Sequence, residues 1–266
     1  MMLEGGADNK SNTIRALAVV LTGIVLISAF LAPFTYIVNG NHFEYRFDVK
    51  DIDKSYTVTY EGKKYDLDIT IPGRLYYSYA DQPRIVDKST GKMDYAAYVV
   101  NDEVVQKIAN ELKRIANDEI GDSSDYTLAS LILSFAHQTT YERDPSNKEG
   151  RETEYPRTPV ETLVENGDCE DLAALFVSVS LAAGLDAVFF MFPAPVNGHM
   201  AAGVHLDNGH GLKPYYTSSS GEKYYFCDAV SSNVPVSNGV GYIPPNYAEG
   251  SKMYNLMEVL DEFPNA

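Results

Sequence analysis

Hydrophobic and polar positions alternate with different periods along the chain, and the changes of period mark its segments. Ala16 to Val38 is a run of 23 residues without a charge. About 20 apolar residues at 1.5 Å each cross a bilayer core, so the run predicts a transmembrane helix. From residue 39 to about 98 the period shortens to two, as in Tyr56-Thr57-Val58-Thr59-Tyr60 and Tyr65-Asp66-Leu67-Asp68-Ile69. These read as strands joined by the turn Glu61-Gly62-Lys63-Lys64. Tyr76, Tyr77 and Tyr79 form a stripe in this β-rich stretch; such a stripe is more often packing than a sugar-binding surface.

Helical spacing follows. Val104, Val105, Ile108, Leu112 and Ile115 mark one amphipathic helix, and Leu128, Leu131, Ile132 and Phe135 a second that ends near His137. Asp144 to Arg157 is polar and aperiodic, a linker or a loop over a cleft, with the linker favoured. Leu172, Leu175, Phe176 and Val179 predict an amphipathic helix ending before Gly184. Ala187 to Pro193, Gly198 to Asp207 and Glu222 to Val230 read as strands, the last two antiparallel about a Gly/Ser loop. The Pro-Pro segment near Pro244 predicts an extended loop before a short C-terminal helix from Met253 to Leu260. The fold class is α+β.

Candidate chemistry gathers at the start of the helix after residue 167. Cys169, one of two cysteines, falls in its first turn, where unpaired N–H groups and the positive dipole end favour an anionic sulfur. Asp168 is the expected N-cap and Asp171 its capping-box partner. Glu170 and Asp171 oppose ionisation by charge repulsion, so a histidine is needed nearby. A register that sets His199 opposite Asp228 leaves both on one sheet face with Ala201, Gly203 and His205, and Met200, Val204 and Cys227 on the other. Such a trio supplies a nucleophile, a base and a carboxylate that fixes the imidazole tautomer. His205 is the rival base, about 20 Å further along the strand. Cys227 reads as core, and His42, His137 and His210 as surface or satisfied core residues.

The order Gly-Asp-Cys-Glu-Asp, then Gly-His opening a strand, then Asp in the next strand, resembles the transglutaminase-like superfamily of papain-type folds. Tyr155-Pro156-Arg157-Thr158-Pro159-Val160-Glu161-Thr162-Leu163 resembles the segment before the nucleophile in archaeal and bacterial members, and the resemblance covers roughly residues 125 to 230. It implies a papain-like core in which the nucleophile helix packs on an antiparallel sheet, with Cys169 as nucleophile, His199 as general base and Asp228 as orienting acid. It implies peptide hydrolysis through a thioester more than crosslinking, on a protein or peptide substrate. Gln138, in a segment resembling a Gln-containing stretch of bacterial members, is the side-chain candidate for an oxyanion donor beside backbone N–H groups near Cys169. Core packing of its helix, with Gln138 at the solvated end, is the preferred reading. Members often carry Trp near the site, and this chain has none.

Other chemistries lack their patterns. There is no C-x-x-C, H-x-x-x-H or H-E-x-x-H, so no metal is expected, and no G-x-G-x-x-G, Walker A or G-x-S-x-G, so no cofactor is expected. A formal net charge of −16, from 37 acidic and 21 basic residues, argues against nucleic-acid binding. Two cysteines make no disulfide framework, and a nucleophilic Cys169 stays free. Lys10 and Arg15 before the apolar run are matched by Arg46 and Lys50 after it. The rival to an anchor is a cleaved signal peptide, but the run exceeds a normal h-region and lacks small residues at both cleavage positions. The expected organisation is a cytoplasmic tail (1–15), a single-pass anchor in the cell membrane (16–38), a β-rich region (39–98) and an extracytoplasmic catalytic domain (99–266). The alternative is a non-catalytic cell-surface binding or scaffold module of the same fold.

Overall fold

A computed structural model describes residues 34–38, 41–45, 49–85, 92–145, 154–193, 198–233, 239–261, 263 and 266. The chain divides into two compact units, Met1–Lys50 and Asp51–Ala266. In the first, β1 (Phe34–Val38) pairs antiparallel with β2 (Asn41–Tyr45). The last five residues of the expected membrane span are therefore strand, and residues 16–33 lie outside the described residues. No helix among the described residues is long and apolar enough to cross a membrane.

The second unit opens with the expected hairpin, longer than its sequence signal: β3 (Ile52–Tyr60) and β4 (Lys63–Ile71). Period two sorts β4 cleanly, with Tyr65, Leu67, Ile69 and Ile71 buried and the intervening positions exposed. Pro72 ends the strand, and α1 (Gly73–Ala80) follows, so the tyrosine stripe is helical rather than extended. Leu75, Tyr76 and Tyr79 fall on one helical face against the core, a spacing that two-residue alternation hides. The Tyr79 hydroxyl donates to Asp102 Oδ2 at 3.1 Å, and that of Tyr76 donates to Glu165. Packing is thus the role of these side chains.

Next come α2 (Glu103–Arg114), capped by Asp102, whose Oδ1 accepts from Val104 N–H at 2.9 Å and Val105 N–H at 3.0 Å, and α3 (Asp125–Ala136), capped by Ser124. Two further helices, α4 (Pro159–Glu165) and α5 (Cys169–Ala182), lead into the sheet. From Glu170 to Ser180 every residue of α5 is buried, so this is a core helix rather than an amphipathic surface one. Ala173, Ala174, Val177 and Ser178 are the small or apolar residues that close its other faces.

The sheet has the order β7-β8-β6-β5-β9, with β5 (Ala187–Phe192), β6 (His199–His205), β7 (Tyr216–Thr217), β8 (Lys223–Cys227) and β9 (Glu258–Leu260). All its pairings are antiparallel. β9 corrects the expected C-terminal helix: Met253 to Leu260 gives one 3₁₀ turn, Tyr254–Leu256, then a strand that covers the edge of β5. An open edge offers unpaired backbone groups, and that tertiary demand outweighs a weak local pattern. One sheet face, with Met200, Ala202, Val204 and Cys227, joins the helical core. The other, with Val188, Phe190, Ala201 and Phe226, is covered by Tyr215, Tyr247 and Tyr254.

Gly203 leaves room on β6 for the Phe190 ring of β5 beneath that second cover. A Cβ there would stand 2.5 Å from Phe190 Cζ and 3.0 Å from Val188 Cγ2. Gly203→Ala is expected to lower stability by about 1–3 kcal/mol through overpacking, read by urea unfolding. A loss under about 0.5 kcal/mol, the range of an innocuous surface change, contradicts this packing.

Candidate active site

The turn that carries Cys169 is held from below by buried charge. Arg157 donates through its backbone N–H to Asp171 Oδ1 at 2.6 Å and through Nη1 to Asp171 Oδ2 at 2.8 Å and Asp144 Oδ1 at 3.0 Å. Asp171 Oδ2 also accepts the N–H of Asp168, the N-cap of α5, at 3.2 Å, which is the expected reach-back across the first turn. Gly167 passes so close that a Cβ on it would lie 2.5 Å from Asp171 Cβ. On the other side Gly167 bridges to Tyr141, and its carbonyl accepts the Glu142 N–H at 2.8 Å. The segment singled out by sequence, Tyr155 to Leu163, is therefore the frame under the turn that carries Cys169. Its second ion pair, Arg84 Nη2 to Glu161 Oε1 at 2.9 Å, stacks over Tyr155 and fixes α4.

Asp228 and His199 meet by a different register from the expected one. Ala202 pairs with Cys227, so Asp228, one residue past β8, falls beside Ala201 rather than His199. An offset of two residues keeps both on the same face, and His199 Nε2 lies 3.0 Å from Asp228 Oδ2. Asp228 is fully enclosed: Oδ1 accepts the Val230 N–H at 3.0 Å, and its main-chain carbonyl accepts from His137 Nε2 at 2.8 Å. His137, expected to be a surface or satisfied core residue, is thus satisfied on the back of Asp228, and burial lowers its pKa. A carboxylate on Nε2 requires the proton there, which leaves the Nδ1 lone pair of the neutral ring unprotonated. Tyr247 stacks on the imidazole, ring centres 5.0 Å apart, in a role that its Pro-Pro-Asn-Tyr context does not announce.

Cys169 and His199 line one cleft of about 620 Å³, together with Tyr95, Tyr141, Glu154 and Tyr247. The thiol donates to Glu170 Oε2 at 3.2 Å, and among the described residues no hydrogen bond joins it to His199. Burial pushes the Cys169 thiol well up, Glu170 and Asp168 push it further, and the Met200 N–H pulls weakly the other way. The expected preference of the helix end for a thiolate is therefore outweighed, and the resting sulfur is protonated. Glu170 itself is pushed up from about 4.5 to about 11 by burial and by its hydrogen bond with Asp168, so the two carboxyls hold one proton between them. Burial and Asp168 raise Asp171 to about 7 against the pull of Arg157.

The other candidates stand elsewhere. Gln138 is exposed at the end of α3, where its Nε2 donates to Ser134 O at 3.5 Å, and it is not among the residues that line the cleft. His205 sits at the far end of β6, with Nδ1 3.1 Å from Lys223 O. Cys227 is buried, Cys169 is partly buried, and both are free. His210 stacks on Tyr126, and His42 lies in β2. Asp168, Cys169 and Glu170 have donor atoms within 4.8 Å of one another, as do Asp144, Glu154 and Glu170. Arg157 already occupies Asp144, and neither group contains a histidine.

No protein-family model matches the chain, and no curated protein matches it. Among solved structures it is similar to a proposed cysteine protease from Cytophaga hutchinsonii, at 15% identity over 81% of this chain and 75% of that one, with a TM-score of 0.31. It is also similar to a proposed protease from Parabacteroides distasonis ATCC 8503, at 13% identity over 66% of this chain, with a TM-score of 0.28. The chain spans 39% of that second protein's length.

The carboxyl cluster sets a sign for stability against pH. Glu170 keeps in the folded state a proton that the unfolded chain releases above about 4.5, so its contribution falls as pH rises from there toward about 11. Between pH 6.5 and 8.5, above the acid range where His137 acts, unfolding free energy is expected to fall steadily as pH rises, with Asp171, raised to about 7, adding to the fall at the lower end. Urea unfolding across that range reads it, with Glu170→Gln flattening the slope. Stability that is level or rises with pH in the wild type contradicts the assignment.

Proposed function

We propose that this chain is a membrane-anchored thiol hydrolase that cleaves amide bonds in a protein or peptide substrate. The observation that carries the reading is the hydrogen bond from His199 Nε2 to Asp228, with Cys169 in the same cleft. Asp228 holds the neutral ring with its Nδ1 lone pair available, and the proton on Sγ moves to that nitrogen as sulfur attacks the carbonyl. The C–S bond forms, the carbonyl oxygen becomes an oxyanion facing N–H groups of the α5 first turn, and the imidazolium returns its proton to the leaving amine. Water, or an amine in the transfer variant, then releases the thioester. Hydrolysis is the favoured outcome. An anchor within residues 16–33, with residues 1–15 cytoplasmic and the domain extracytoplasmic, belongs to the same proposal.

A second reading keeps its own observation. The thiol is protonated and bonded to Glu170 rather than to His199, which suits a non-catalytic cell-surface module. Cleavage of a fluorogenic peptide-amide library separates the two. Hydrolysis is expected in the wild type, absent in Cys169→Ala, and reduced by roughly 10²–10⁴ in His199→Ala, the usual share of a general base. Cleavage that survives Cys169→Ala overturns Cys169 as the nucleophile, whereas no cleavage of any library member favours the module.

A further inference from the structure

The hydrogen bond that the thiol makes to its own sequence neighbour is the least expected feature of the cleft. Glu170 is nine-tenths buried, with 8% of its surface exposed, and its Oε2 stands 3.2 Å from Sγ. Asp168, Cys169 and Glu170 keep their polar atoms within 4.8 Å of one another. In the first turn of a helix the N–H groups normally draw negative charge onto a thiol. Here an acceptor oxygen meets the S–H first, and a thiolate in the same position would face that oxygen's lone pairs.

We propose that Glu170 is a further catalytic residue, which holds the proton of Cys169 in the resting protein and surrenders the thiol to His199 only when a substrate enters the cleft. The proposal rests on the amide-hydrolysis reading and adds the control of its nucleophile. In the step itself the S–H···Oε2 hydrogen bond is given up as the sulfur turns about its Cα–Cβ bond. The S–H bond then breaks and an N–H bond forms at His199 Nδ1, so the proton passes to the imidazole and Glu170 keeps its own. The groups facing Glu170 are Asp168, Cys169 and Asp171 on α5 and its cap, Asp144 and Glu154 before α4, and the hydroxyls of Tyr95 and Tyr141. None of these groups is positive; Arg157 reaches Asp144, Asp171 and Glu165 instead, and Arg143 lines the same cleft beside Tyr141. Burial and this company account for the raised Cys169 thiol. A thiol held protonated also resists oxidation, which acts on the thiolate.

Iodoacetamide alkylation of the purified full chain, followed by site-resolved mass spectrometry from pH 6 to 10, tests the role directly. Wild-type Cys169 is expected to react with an apparent pKa above the free-thiol value of about 8.5. The Glu170 proton is held toward Asp168, so Glu170→Gln, which puts an N–H beside the sulfur, and Glu170→Ala, which removes the acceptor, are each expected to lower that value by a unit or more. At pH 7 this is an acceleration of about tenfold or greater. Cys227, buried in the core, reports unfolding, so a variant that labels there is set aside and the other one decides. Rates at Cys169 that match or fall below wild type in the folded variant overturn the proposal. Failure of the library cleavage with normal acceleration sinks the hydrolase reading alone, whereas cleavage without acceleration sinks only the role of Glu170.

Discussion

One buried guanidinium holds the geometry of the cleft. Arg157 ties Asp144, in the loop after α3, to Asp171, inside the first turn of α5, and Asp171 in turn ties the backbone of Asp168. Ion pairs of this kind gain little over an apolar core, because desolvation offsets the attraction, but they cannot be half removed. An Asp171 without Arg157 would be an unpaired carboxyl in the protein interior, at the base of the turn that carries Cys169. The charge is there for position rather than for stability.

The frame explains why the cleft can be so acidic. Asp144, Glu154, Asp168, Glu170 and Asp171 crowd the start of α5, and of these five Asp144 and Asp171 share the Arg157 guanidinium, which also reaches Glu165. The remaining repulsion is relieved by protonation, which is why Glu170 is a neutral acid and the neighbouring thiol stays protonated. Two opposed environments then share one cleft. The sulfur lies in the acidic half, and the His199 imidazole lies between Asp228 and the ring of Tyr247 in the aromatic half. The proposed hydrolysis requires a proton to cross from one half to the other.

The sequence carried the parts of this arrangement that depend on local periodicity. The β3–β4 hairpin, α2, α3, α5 and the strands β5, β6 and β8 follow their patterns because burial on one face and local spacing agree. The same holds for the pairing of His199 with Asp228, since parity along a strand survives a shift of two residues even when the exact partner does not. Where tertiary demand decides, local pattern fails. Tyr76 to Tyr79 read as a strand and form a helix after Pro72, Glu258 to Leu260 read as a helix and close the edge of β5, and Gln138 faces solvent. The grip of Glu170 on the thiol was hidden for another reason. Charge repulsion was visible in Gly-Asp-Cys-Glu-Asp, but the choice of hydrogen-bond partner depends on a side-chain direction that no periodicity encodes.

For the proposed hydrolysis, Asp228 must fix His199 as the tautomer whose Nδ1 can take a proton from Cys169. Nitrogen-15 NMR of the imidazole, recorded above its titration range in wild type and Cys169→Ala, reads the tautomer directly. The account requires Nε2 to carry the proton and Nδ1 to show the shift of an unprotonated nitrogen, with Asp228→Asn weakening that preference. A ring protonated mainly at Nδ1, indifferent to Asp228→Asn, would contradict it.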